Sequence, residues 1–255
     1  MVMSKSSPSV VAFIPARSGS ERIRDKNINL LGGHPALAYS IAAARESGVF
    51  DAVIVSTDSE HYADIARYYG AEVPFLRPAA IAGSKSPDIE WVVYTLETLS
   101  ASGRNFECFS ILRPTSPLRQ AETIQRAWSA FSAEVGVDSL RAVELCQQHP
   151  GKMWVVRGNR LLPILPYSFD DAPWHSSQYK SLPEIFVQNA SLEIAWSEVA
   201  LQRNSIAGDI IMPFLTENHE GADINAPQDW LIVEHLIETG EATLPIIDQK
   251  PFVSA

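Results

Sequence analysis

The sequence predicts an α/β fold of three layers: a mostly parallel sheet with helices on both faces. Two observations carry this expectation. Short apolar runs of strand length alternate with segments of helical spacing through the first half of the chain. The 255 residues, 46% hydrophobic and 20% charged, are also enough to bury a substantial core as one domain. Residues 1–255 therefore read as a single domain, with a less regular insertion at about 138–183.

Val10 to Ile14 reads as a fully buried strand, and Pro15 stops its ladder pairing. After a polar loop, Pro35 to Glu46 is a helix, with Pro35 near its first turn and Gly48 past its end. Ala52 to Ser56 is a second strand, closed by Thr57-Asp58, and Ser59 to Tyr69 is a helix stopped by Gly70. Glu72 to Leu76 is expected as a third short strand. Pro87 to Leu99 is helical, Cys108 to Leu112 is a buried strand, and Ala121 to Phe131 is a helix.

The texture changes after Asp138. Arg141 to Leu145 is extended, and Lys152 to Val156 with Arg160 to Ile164 makes a hairpin about Gly158-Asn159. Tyr167 to Pro183 has no clear period, which in a compact domain marks a lid, a binding loop or an arm. Trp154, Tyr167, Phe169, Trp174 and Tyr179 would be costly on a free surface, so an interface is expected. The regular pattern returns with Leu192 to Trp196, a helix over Ser197 to Gln202, Gly208 to Met212, and a last helix over Pro227 to Glu238.

A net charge of −10 argues against nucleic acid or an anionic membrane as partner. The two cysteines, Cys108 and Cys146, fit neither a zinc site nor a disulfide framework, and the six histidines are scattered. Met1 to Ser9 carries no apolar core of a signal peptide, and no apolar run is long enough to span a bilayer. A cytoplasmic protein is expected.

Against this acidic background, Arg17, Arg22, Arg24 and Lys26 crowd into one loop directly after the first strand. Ser18, Gly19 and Ser20 make that loop flexible and rich in donors. Successive backbone N–H groups and nearby cations suit a polyanion, and open α/β sheets bind ligands at strand carboxyl ends. A triphosphate cradle is the direct reading, and an ordinary solvated loop is the alternative. Neither G-x-x-x-x-G-K-[ST] nor G-x-G-x-x-G is present.

Pro15-Ala16-Arg17-Ser18-Gly19-Ser20, followed by Lys26-Asn27, resembles the signature loop of the acylneuraminate cytidylyltransferase (CMP-sialic acid synthetase-like) family. The likeness continues in order through Val55-Ser56-Thr57-Asp58, Phe75-Leu76-Arg77-Pro78-Ala79, Arg113-Pro114-Thr115-Ser116-Pro117-Leu118-Arg119, Gln188-Asn189 and Asp223-Ile224-Asn225. The resemblance implies a Rossmann-like, glycosyltransferase-A-like nucleotidyltransferase fold with a protruding arm that pairs two subunits. It also implies transfer of CMP from CTP to a nonulosonic sugar acid, with Mg²⁺ as cofactor and pyrophosphate released. An enzyme for an eight-carbon 3-deoxy-ulosonic acid, or a lapsed relative that only binds nucleotide, is the alternative.

Residue by residue, Ala16, Arg17, Ser18, Gly19, Ser20, Arg22 and Lys26 would cradle the triphosphate, with Glu21 turned away. Asn27, Arg77 and Ser84 would contact the nucleotide, although Arg77 reads equally as a cap or surface arginine. Arg113, Pro114, Thr115, Ser116, Lys152, Gln188 and Asn189 would face the sugar acid. Two prolines fix the segment after the strand, which either aims Thr115 and Ser116 into a site or simply makes a rigid connector. Arg113 stands where such synthetases usually carry Gln, and a guanidinium suits a carboxylate. Glu193 stands where a Tyr is common.

Asp223 and Asn225 point to the same side of an extended stretch, so both oxygens can approach one Mg²⁺. Many relatives carry a second Asp at the position of Asn225 as their principal metal ligand. The competing role for Asn225 is to cap the helix beginning near Pro227. Arg17, Lys26 and Asp223 are the expected catalytic residues.

Overall fold

The computed structural model describes residues 7–165 and 172–253. In chain order its regular elements begin with β1 (Val10–Pro15), β2 (Leu30–Leu31), β3 (His34–Pro35), α1 (Ala36–Glu46), β4 (Ala52–Ser56) and α2 (Glu60–Tyr68). They continue with α3 (Asp88–Ala101), β5 (Cys108–Ile111), α4 (Ala121–Ala133) and β6 (Ser139–Leu145). The remainder are β7 (Trp154–Arg157), β8 (Arg160–Pro163), β9 (Phe186–Trp196), α5 (Ser197–Arg203), β10 (Ile211–Leu215) and α6 (Pro227–Glu238).

The central sheet has six strands in the order β10-β6-β9-β5-β1-β4. β1 runs parallel to both β4 and β5, whereas β9 is antiparallel to β5. Alternation along β1 builds two cores at once. Val10, Ala12 and Ile14 pack with Leu37 and Ile41 of α1, Ile65 of α2 and Phe131 of α4. Val11 and Phe13 face the other way, onto Trp91, Leu96 and Leu99 of α3 and Ala200 of α5. Those opposed faces are the three layers the sequence predicts, because a strand buried on both sides has no polar face to give to water.

Local chemistry sets the element ends. Ser59 caps α2 by accepting from the Tyr62 N–H, and Gly70 closes it at φ +88°. Gly32 and Gly33, at φ +54° and +95°, make the turn between β2 and β3, a short ribbon with no sequence forecast. Two expected strands come out differently. Glu72 to Leu76 forms a single bridge from Glu72 to Ile54, since Pro74 has no N–H to continue a ladder. Gly208 to Asp209 is not in the last strand: the Asp138 carboxylate accepts from the Asp209 and Ile210 N–H groups, so the ladder starts only at Ile211.

Contacts divide the chain into a large unit, 1–142 with 189–255, and a small one, 143–188. Within the small unit, β7 and β8 pair antiparallel from Trp154↔Pro163 to Arg157↔Arg160. Gly158 turns the hairpin at φ +58°. Val155, Val156, Leu161, Leu162, Trp154 and Tyr179 are exposed, and Trp174 is half-buried. Tyr167 and Phe169 lie outside the described residues. No helix among the described residues is long and apolar enough to cross a membrane.

Candidate active site

The parallel strands β1, β4 and β5 all end at one edge of the sheet, and the loops leaving them wall a cleft of about 340 Å³. From the β1 loop come Arg17, Ser20, Glu21, Arg22, Lys26 and Asn27; from the later loops come Arg77, Ser84, Arg113, Pro114 and Thr115. The crowding of cations is therefore spatial as well as sequential. Ala16 lies buried beneath, bound by its N–H to the Ser56 carbonyl at 2.9 Å. Ser18 and Gly19 do not line the cleft, but Ser18 fixes the loop: its N–H and hydroxyl donate to Asp58 at 2.8 and 2.9 Å. Arg17 donates to the Gly19 carbonyl. Glu21, expected to turn away, stands among the lining side chains, and Ser116 is buried behind them.

Lys26 is held where two charges of opposite sign compete for it. Its Nζ donates to the Ile224 carbonyl at 2.7 Å, beside Asp223. Burial lowers its pKa from the ordinary lysine value, Arg22 and Arg17 lower it further, and Asp223 opposes them. An anion placed among these groups would relieve the cationic repulsion. The Ile224 N–H in turn donates to the Thr115 carbonyl at 2.8 Å, which ties the Asp223 segment to the β5 loop.

Arg77, which also lines the cleft, is 6% exposed. Its Nε and Nη2 donate to the hydroxyl and carbonyl of Ser56, both at 3.0 Å, and its guanidinium lies over the Trp91 ring at 4.7 Å. Burial brings its pKa down to about 10 against the pull of Asp88 and Asp58. This is neither a cap nor a surface arginine. Asn27 is also buried, with Nδ2 donating to the Arg17 carbonyl at 3.1 Å.

Arg113 is held by two carboxylates. Both protons of Nη2 are taken, by Asp88 Oδ2 at 2.6 Å and by Glu193 Oε1 at 2.9 Å. Burial alone would lower its pKa, and the two carboxylates raise it instead. Arg141 holds the other Glu193 oxygen. Asn189 is buried, donating to Thr216 Oγ1 at 2.9 Å and accepting from the Ser191 N–H at 3.2 Å. Lys152 and Gln188 belong to the small unit, where Lys152 Nζ donates to the carbonyls of His175 and Ser177 at 3.2 and 2.6 Å.

At the metal candidate, Asn225 does not cap α6. Asp229 does that work, accepting from the Asn225 and Ala226 N–H groups at 2.7 Å each. An acid in the first turn reaches two free backbone donors, so the asparagine is released, and its Nδ2 donates to Asp223 Oδ2. Asp223 Oδ1 is buried with no hydrogen-bond partner among the described residues. No group of three or more His, Cys, Asp or Glu among the described residues could hold a metal by itself. The donors nevertheless fit Mg²⁺, which takes oxygen ligands and commonly one or two carboxylates completed by phosphates.

Sequence reasoning gave no site role to Asp58, Asp88 or Trp91, which support or line the cleft. The available signal was position: Asp88 opens α3 immediately after the Gly83 to Ser86 loop.

A cation-rich cleft at the carboxyl edge of a three-layer α/β sheet, with a carboxylate beside its lysine, defines a nucleotidyltransferase. Residues 11–148 match the model of the family described as cytidylyltransferase, and the chain belongs to that family. It is 33% identical over 238 residues to a CMP-N,N'-diacetyllegionaminic acid synthase of Legionella pneumophila, covering 92% of this chain and 99% of that protein. It is 26% identical to a pseudaminic acid cytidylyltransferase of Campylobacter jejuni, over 86% of this chain and 92% of that one. The fold is similar to that of a CMP:2-keto-3-deoxy-manno-octonic acid synthetase (TM-score 0.66, 12% identity, 91% and 99% covered).

Proposed function

We propose that this enzyme transfers the CMP group of CTP to the anomeric 2-hydroxyl of a nonulosonic sugar acid. The hydroxyl oxygen forms a bond to the α-phosphorus and gives its proton to water, the bond from that phosphorus to the α–β bridging oxygen breaks, and pyrophosphate leaves with this oxygen. The observation that carries this reading is the charge layout, with Arg17, Arg22 and Lys26 lining the cleft at the end of β1 and Asp223 beside Lys26. The relatives named for legionaminic and pseudaminic acids supply the acceptor class.

In this reading Arg17, Arg22 and Lys26 neutralise the triphosphate and orient it for in-line attack. Arg77, Asn27 and Ser84 receive the nucleoside. Arg113, whose Nη1 has no partner among the described residues, takes the acceptor's carboxylate. Thr115 and Pro114 shape that end of the cleft, with Ser116 behind them, and Asn189 adds to the sugar side. Asp223 and Asn225 hold Mg²⁺, which when bound supplies charge neutralisation at the phosphates. The exposed apolar residues of the 143–188 unit support a homodimer. The unpaired Cys108 and Cys146 fit a reducing cytoplasm.

Pyrophosphate release, measured with Mg²⁺, each of the four triphosphates and a panel of eight- and nine-carbon ulosonic acids, tests the reading. CTP with a nine-carbon acid should give the highest kcat/KM. Release with no acid in the panel, or equal rates with all four nucleotides, would reject it.

A further inference from the structure

We propose that Asp88 is a positioning residue that sets both ends of the cleft at once, orienting Arg113 directly and Arg77 through the Trp91 ring. Its two carboxylate oxygens divide the task. Oδ2 accepts from Arg113 Nη2 at 2.6 Å, and Oδ1 accepts from Trp91 Nε1 at 2.8 Å. The indole so fixed carries the Arg77 guanidinium on its face at 4.7 Å, and the rings of Trp91 and Phe13 meet edge-on at 6.0 Å. Trp91 is 1% exposed, so the ring cannot turn without leaving the core.

A continuous strap follows from these contacts. It runs from Arg141 through Glu193, Arg113, Asp88 and Trp91 to Arg77, and ends on Ser56 at the mouth of β4. Asp88 is the joint between its charged half and its aromatic half. Burial would push its carboxyl pKa up, but Arg113 and the indole N–H hold it below the ordinary carboxylate value. Asp88 thus stays an acceptor at both oxygens. Arg77 and Arg113 are the cations assigned above to the nucleoside and to the sugar carboxylate, so the inference rests on that assignment. Its consequence is specific: one side chain tunes the affinity for both substrates through the two cations it orients.

The test compares three variants by calorimetry, with CTP and the sugar acid titrated separately. Asp88→Asn offers one acceptor and no charge, so it cannot serve both donors. It should weaken each ligand, the sugar acid by roughly ten- to hundredfold, the worth of one charge-assisted bond. Trp91→Phe keeps an aromatic face and removes the indole donor; it should weaken CTP by about fivefold and leave the sugar acid unchanged. Glu193→Gln should weaken the sugar acid alone. A D88N enzyme that loses only sugar-acid affinity overturns the proposal.

The link is also read without ligand. The Trp91 indole N–H resonance, identified by its loss in W91F, should move in Arg113→Gln, because the shared carboxylate is then free to turn. An unmoved resonance overturns the coupling even if D88N does not fold. Failure of the unmodified enzyme to bind any sugar acid would instead count against the proposed reaction, and the indole measurement stands apart from it.

Discussion

Arg113 Nη2 donates to Glu193 Oε1 at 2.9 Å, and both residues stand where the chain departs from the pattern it resembles. Arg113 replaces a common Gln and Glu193 a common Tyr, and in the fold the two departures neutralise each other. Burying a carboxylate alone is costly, and this glutamate, with only 4% of its side chain exposed on β9, is held by Arg113 at one oxygen and by Arg141 at the other. The pair accounts for two departures with one interaction.

Glu193→Gln should therefore destabilise the enzyme by about 3 kcal/mol, the low end for removing one partner of a buried pair, since Arg113 retains 27% side-chain exposure. Urea denaturation measures it. Arg113→Gln added to Glu193→Gln should cost less than the sum of the single changes, because the bond between the two side chains is lost in either single variant and can be lost only once in the double. Strict additivity would mean that the two side chains do not interact in solution.

Lys26 sets a pH dependence of known sign. Its pKa is lowered in the fold by burial and then by Arg22 and Arg17, so between that value and the ordinary 10.5 the unfolded chain binds more protons than the native one. Stability from this group accordingly rises with pH across that window. CTP binding should go the other way, since the triphosphate favours the ammonium: affinity falls as pH climbs through the lowered pKa. Calorimetry from neutral to alkaline pH measures it. Lys26→Met should bind weakly with a flatter profile, and a lysine-like profile retained in that variant would remove Lys26 from the triphosphate site.

The sequence exposes much of this, and for physical reasons. β1 and its basic loop were legible because a doubly buried strand has no polar residues and four cations in a short loop stand out in an acidic chain. The bounds of α6, Pro227–Glu238, follow from proline at its first position. What stayed hidden depends on pairings between distant residues. Asp88 and Arg113 are 25 apart and Arg113 and Glu193 are 80 apart, so nothing local announces either bond. Asn225 was ambiguous for the opposite reason: two local roles competed, and Asp229 settled the matter by reaching the backbone first.

The small unit predicts an assembly. Val156 is 69% exposed, Leu161 58% and Tyr179 55%, a density of apolar surface uncommon on a free monomer. Light scattering at micromolar concentration should give twice the chain mass. Replacing Val156 and Leu161 by Lys should shift the mass to that of a monomer with the large unit still folded. A monomeric parent protein would refute the assignment.

The Asp223–Asn225 pair makes a prediction in which metal and stability have opposite effects. Asn225 Nδ2 donates to Asp223 Oδ2, while Oδ1 of the same carboxylate is buried with no hydrogen-bond partner among the described residues. A buried acceptor left unpaired costs about 1–3 kcal/mol, a deficit that an oxygen-seeking cation would remove. Asn225→Asp replaces the amide donor with a second carboxylate. Without metal it should lower stability by about 1–2 kcal/mol, through the lost bond and the added like charge. With Mg²⁺ and CTP it should recover, and bind Mg²⁺ more tightly than the parent. Asp223→Asn should behave in reverse: little stability is lost without metal, but the stabilisation that Mg²⁺ adds in the presence of CTP disappears and turnover falls with it. Thermal melts with and without Mg²⁺ read this independently of activity. If Asp223→Asn keeps the Mg²⁺-dependent shift, the cation is held by other residues.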